Sequence, residues 1–86
     1  MTSPAEIRKD VESIVRTYGK LKEPIPGDRD LYTDLGVESV NAISILLALE
    51  TRFQAPIDDA RFVEARTLDG LVGLIATTQA GDSRVA

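Results

Sequence analysis

The residue on which chemistry could centre is Ser39, which follows Asp34-Leu35-Gly36-Val37-Glu38 and opens the most apolar stretch of the chain. Its neighbours supply two carboxylates, Asp34 and Glu38, but nothing that activates a hydroxyl by the usual route, because the 86 residues include no His and no Cys. Ser–His and Cys–His nucleophile pairs are therefore excluded, as are disulfides and thiolate metal sites. Where a loop turns into a helix the Ser39 hydroxyl would face solvent, beside free N–H groups and the positive end of the helix dipole, and an anionic group joined to it would sit in a favourable field. Read alone, the same serine is a helix cap. Asp34 is equally a turn former or solvated loop carboxylate, and Glu38 a first-turn charge that suits the dipole.

Three helical segments and a loop must hold Ser39 in place. The segment 39–53 places Val40, Ala42, Ile43, Ile45, Leu46, Leu47, Leu49 and Phe53 over roughly 220° of a helix circumference, more than an ordinary amphipathic helix buries. Such a helix touches neighbours on several sides or leaves part of its apolar arc to a partner. Glu50 falls inside that arc, which is consistent with a last turn that emerges from the bundle. Before it, Ser3-Pro4-Ala5-Glu6 has the form of a capped helix start, Ile7, Val11, Ile14, Val15 and Tyr18 follow on one face, Glu12 and Arg16 are spaced to pair, and Gly19 is the expected stop. Residues 20–38 show no period and contain Pro24, Pro26 and Gly27, so they form a long loop, with Leu31 and Leu35 as its anchors. After the break at Gln54-Ala55-Pro56, Asp58 or Asp59 caps a short turn through about Ala65. Thr67 then caps a last helix with the stripe Leu68, Leu71, Val72 and Ile75, in which Gly70 and Gly73 mark a close contact. The expected core is Ile43, Leu46, Leu47, Ile57, Phe62, Val63, Leu68, Leu71 and Ile75. The expectation is one domain, 1–78, with a disordered tail over 79–86.

Composition bounds the partners. A 43% hydrophobic and 28% charged chain is ordinary for a globular domain, and it holds no apolar run near the ~20 residues that span a bilayer. Nothing near Met1 reads as an export signal, so the cytoplasm is the default compartment. The net charge of −4 disfavours nucleic acid and anionic membranes. Residues 28–59 hold seven acids against two basic residues while the flanks are near balance, so basic protein surfaces are the natural partners.

The stretch Asp34-Leu35-Gly36-Val37-Glu38-Ser39-Val40 resembles the modification motif of acyl and peptidyl carrier proteins, Asp-Leu-Gly-x-Asp-Ser-Leu, and the likeness runs from about Glu6 to Ile75. The resemblance implies an all-α four-helix bundle with a short third helix and a long loop between helices 1 and 2. It implies that Ser39 accepts 4′-phosphopantetheine from coenzyme A, and that a free-standing monomer carries acyl, aminoacyl or peptidyl thioesters for fatty acid, polyketide or other secondary-metabolite biosynthesis. The implied partners are a phosphopantetheinyl transferase and loading, acyltransferase or synthase enzymes with basic docking surfaces, met through Asp34, Glu38, Val40, Asn41 and Ser44. In some members the matching core opens to shelter the acyl chain. Three features depart from the motif: Glu38 replaces Asp, Val40 replaces Leu, and Asn41 and Ser44 stand where many members carry acids. On residues alone, two other readings stay open. One is a helical interaction module without a prosthetic group, and the other an enzyme whose carboxylates do all the acid and base work.

Overall fold

The computed structural model describes the backbone of residues 3–84 and the side chains of residues 3–78. Among the described residues the fold is all-α, four helices in the order α1 Pro4–Gly19, α2 Ser39–Phe53, α3 Asp59–Glu64 and α4 Leu68–Arg84. The long α1–α2 connection and the short third helix are both as expected.

Helix α1 starts with a reciprocal cap. The Glu6 N–H donates to Ser3 Oγ at 3.2 Å, and the Ser3 N–H returns to the Glu6 carboxylate at 3.4 Å. Its buried face is Ile7, Val11 and Val15, whereas Tyr18, expected on that face, is 43% exposed. Gly19 is the last helical residue, and the left-handed position falls on Lys20, whose φ is 60°. The reason for glycine is space: a Cβ on Gly19 would stand 3.1 Å from Cγ2 of Val37. Glu12 and Arg16 do not pair with each other. Glu12 accepts the Ile25 N–H at 3.0 Å and Arg16 donates to the Lys22 carbonyl at 2.7 Å, so both tie the loop to α1.

Helices α2 and α4 pack on α1, while α3 packs chiefly on α4. Leu31, Ile45, Leu49, Leu68, Leu71 and Ile75 fill the space between them, joined by Ile25 and Val37 from the loop. Of the expected core residues, Ile57, Phe62, Leu68, Leu71 and Ile75 are buried and Leu46 is partly buried, but Ile43, Leu47 and Val63 are exposed. A third helix of six residues cannot cover the outer side of α2, so the wide apolar arc of α2 ends in solvent. Glu50 is likewise not a sign of emergence. It accepts the Ile57 N–H at 2.9 Å and so fastens the α2–α3 connection.

The second half is capped as read. Asp58 accepts the Ala60 N–H at 2.8 Å, and Thr67 accepts the Gly70 N–H at 2.9 Å. Gly70 does sit against Ala65, but Gly73 has open space around it and marks no contact. The backbone of α4 continues as helix to Arg84, through much of the segment expected as a tail. No proline interrupts it, and adding residues to an existing helix costs far less than starting one. Residues 85 and 86 lie outside the described residues.

Candidate functional site

The loop ahead of Ser39 is built on Asp30. Its Oδ1 accepts the Tyr32 and Thr33 N–H groups at 2.8 and 2.9 Å, and its carbonyl accepts those of Asp34 and Leu35 at 3.0 and 3.1 Å. Asp34 turns its carboxylate back onto the Asp30 N–H at 3.1 Å, as a turn former does. Gly36 then reverses the chain at φ 80°, with nothing within 4 Å of where a Cβ would be. Its glycine is therefore needed for backbone sign, not for close approach. Val37 drops into the core and donates to the Leu31 carbonyl at 2.9 Å. Glu38 is extended, and the helix begins at Ser39. Gly36→Ala is expected to cost about 1 kcal/mol, the penalty for an L-residue in the left-handed region, read as a lower urea midpoint at unchanged slope.

Ser39 is exposed at the head of α2. The other three helices have side-chain caps in Ser3, Asp58 and Thr67, but α2 has none. Asn41 donates to the Glu38 carbonyl at 2.9 Å, and the N–H groups of Ser39 and Val40 have no acceptor among the described residues. An uncapped helix start presents unsatisfied donors and a positive partial charge. Beside an exposed hydroxyl, that suits a covalently attached phosphodiester, which would be the acceptor that the protein itself does not provide.

A groove of about 700 Å³ opens at Ser39 and runs between α2, α3 and the loop, with Ala42, Ile43, Leu46, Phe62 and Val63 as its apolar lining. Its polar rim is Tyr32, Asp59 and Arg66. Arg66 is fixed there by two hydrogen bonds to Asp30, at 2.6 and 3.2 Å, and lies 5.0 Å from the centroid of the Tyr32 ring. The Leu31 N–H donates to the Arg66 carbonyl at 2.8 Å, so one loop and the α3–α4 corner are held by backbone and side chain together. The Arg66 guanidinium, with help from the Thr33 and Tyr32 N–H groups, holds the Asp30 carboxyl well below the usual carboxylate range, while burial raises the Tyr32 hydroxyl.

A carboxyl whose pKa is lower in the folded than in the unfolded chain stabilises the fold above its unfolded value of about 3.9, and that contribution is lost as the pH falls through the folded value. Asp30→Asn keeps an oxygen for the Tyr32 and Thr33 N–H groups but removes the charge. The variant is expected to be less stable than the parent at pH 7, with the difference shrinking as the pH is lowered below about 4, in urea titrations followed by circular dichroism.

The remaining sequence candidates divide. Glu38 and Val40 flank Ser39 on the exposed surface, and Glu38 makes no hydrogen bond or ion pair through its side chain among the described residues. Asn41 is half-buried within the first turn of α2, and Ser44 is exposed farther along it, where it lines a different groove, toward α1. The Asp30–Arg66 clasp had no signal in the sequence, because its two partners lie thirty-six residues apart and share no period.

The family model described as the phosphopantetheine attachment site matches residues 10–75. An acyl carrier protein of Exiguobacterium sibiricum is 29% identical over 66 residues, which cover 77% of this chain and 84% of that protein. The family match takes in α2 from its uncapped start, the loop that delivers Ser39 and the α3–α4 corner that holds the loop. The chain therefore belongs to the phosphopantetheine-attachment family of acyl and peptidyl carrier domains.

Proposed function

We propose that the Ser39 hydroxyl is the attachment point of 4′-phosphopantetheine, and that the domain, residues 1–78, carries acyl, aminoacyl or peptidyl groups for enzymes of fatty acid, polyketide or other secondary-metabolite biosynthesis in the cytoplasm. The observation that carries this reading is the exposed hydroxyl at the only one of the four helix starts, among the described residues, without a side-chain cap. In the modification, Ser39 Oγ forms a bond to the phosphorus of coenzyme A next to the pantetheine, the pyrophosphate P–O bond breaks, and adenosine 3′,5′-bisphosphate leaves. The serine proton passes to a base of the transferase, since no His or Cys is present in the chain to take it. Once attached, the arm supplies the thiol on which cargo is held as a thioester. The chain's own part is to hold the new phosphodiester over the N–H groups of Ser39 and Val40 and to present it to partners.

Glu38, Val40, Asn41 and Ser44, with Asp34 one loop away, form the proposed recognition surface of a monomer. The acids near Ser39 steer basic rims of the transferase and of the loading and synthase enzymes toward it. Catalysis belongs to those partners. The test is the intact mass of the protein purified from its native host. One arm with an acyl, aminoacyl or peptidyl adduct, the adduct released by neutral hydroxylamine, is the expected result. A chain found always unmodified, but bound to a partner, would overturn the reading in favour of a plain interaction module.

A further inference from the structure

The turn that delivers Ser39 is held from a distant part of the chain. Asp30 fixes residues 32–35 through its Oδ1 and its carbonyl, and the Leu31 carbonyl fixes Val37, two residues short of Ser39, at 2.9 Å. Both anchors are themselves gripped by the α3–α4 corner. Asp30 pairs with Thr67 in an isolated antiparallel bridge, the Leu31 N–H donates to the Arg66 carbonyl, and the Arg66 side chain closes on both oxygens of the Asp30 carboxylate. A guanidinium is a planar fork, so two contacts set the direction of the carboxylate as well as its place. That direction matters, because the Oδ1 that meets Arg66 is the same atom that accepts the Tyr32 and Thr33 N–H groups.

We infer that Arg66 is a positioning residue for the transfer of phosphopantetheine to Ser39, acting through Asp30 and its turn and not by contact with the reacting atoms. The inference rests on Ser39 as the attachment point. A transferase must find the Ser39 hydroxyl in one place, and a turn left free would have to be ordered on binding, a loss of backbone entropy that lowers affinity. Without the clasp a smaller fraction of chains presents Ser39 in that place, and KM rises as that fraction falls. Once bound, the enzyme imposes the geometry itself, so kcat changes little. The backbone bond from Leu31 and the bridge to Thr67 do not use the Arg66 side chain, so its loss loosens the turn without detaching it from the corner. The competing role is a direct one, since Arg66 and Ser39 line the same groove and a guanidinium suits a phosphate. Here, however, the Arg66 charge is matched by Asp30, and its Nε and one terminal nitrogen are committed to that carboxylate.

The experiment is steady-state modification of the full chain with coenzyme A and a phosphopantetheinyl transferase. The variants are Arg66→Gln, Arg66→Lys, Asp30→Asn and the double variant Asp30→Asn/Arg66→Gln, each checked for folding by circular dichroism. Ile75→Val, a buried position two turns into α4, is the control that destabilises the core away from the turn. The expected result is a KM for the carrier raised about fivefold in Arg66→Gln and in Asp30→Asn, with kcat within twofold, and no further rise in the double variant, because both substitutions undo one clasp. Arg66→Lys keeps the charge but not the fork, and its KM is expected to rise at least about threefold. Ile75→Val is expected to stay within twofold of the parent. A KM within twofold of the parent in Arg66→Gln would overturn the inference, and so would losses that multiply in the double variant. An impaired Arg66→Gln beside an unimpaired Asp30→Asn would overturn it too, since the freed guanidinium would then be acting on the phosphate or the enzyme directly. An equal rise in Ile75→Val would reduce Arg66 to a residue that only stabilises the fold. The underlying reading of Ser39 fails by other signs, a parent that gains no mass or a Ser39→Ala variant that still gains it.

Discussion

Ser39→Ala is expected to abolish the mass gain that the parent chain shows with coenzyme A and a phosphopantetheinyl transferase, leaving unfolding unchanged within about 0.5 kcal/mol. The effect is all or none because a methyl group cannot form the phosphodiester. Other exposed hydroxyls are available in the same neighbourhood, on Thr33 and Ser44, so the result discriminates among real candidates. Thr33 lies in the Asp30 turn, where its own N–H is taken by the Asp30 carboxylate. Ser44 stands in the second turn of α2, where the backbone donors are taken by the helix itself. Of these three hydroxyls, only that of Ser39 combines an exposed oxygen with unsatisfied N–H groups beneath it. The expectation of unchanged stability has its own reason. Ser39 is the first residue of the helix and not its N-cap, and its hydroxyl makes no hydrogen bond among the described residues. A mass gain retained in Ser39→Ala and lost in Ser44→Ala would move the site one turn down the helix.

The helix frame was open to reading from the sequence because its signals are local. Ser3 with Glu6, Asp58 and Thr67 each cap within three residues of themselves, and the apolar stripes of α1 and α4 repeat at the helix period. The start of α2 was legible for the same reason, since a glycine able to take positive φ and a serine followed by an apolar run fall within a few positions. What escaped were contacts between distant segments. The Asp30–Arg66 clasp, the engagement of Glu12 and Arg16 by loop backbone, and the hold of Glu50 on Ile57 each join a charged side chain to something with no periodic relation to it. In each case a charge that looks solvated, or paired along one helix, closes a loop instead. Burial along α2 failed differently. A hydrophobic arc of 220° says that more than one side is apolar, but which side finds a neighbour depends on α3 being six residues long and lying on α4.

That last point fixes the second large effect, the contrast between two leucines two positions apart on α2. Leu49→Ala is expected to destabilise the domain by about 3 kcal/mol, and Leu47→Ala by less than about 0.5 kcal/mol. Leu49 is 0% exposed at the centre of the α1–α2–α4 core, whereas Leu47 is 57% exposed. Truncating the first removes the transfer free energy of the lost methyl groups and leaves a cavity that close-packed neighbours fill only in part. Truncating the second removes surface that water already touches. A domain of this length has only roughly 4–13 kcal/mol of total stability, so the Leu49 variant loses a large share of it. Its urea midpoint should fall steeply with little change in slope, while the Leu47 variant overlays the parent. The pairing matters because residue type and helix are identical, so helix propensity cancels and only the surroundings differ. Equal losses at the two positions would mean that Leu47 is covered in solution. Loss at Leu49 alone shows that Leu47 faces solvent, as its exposure requires.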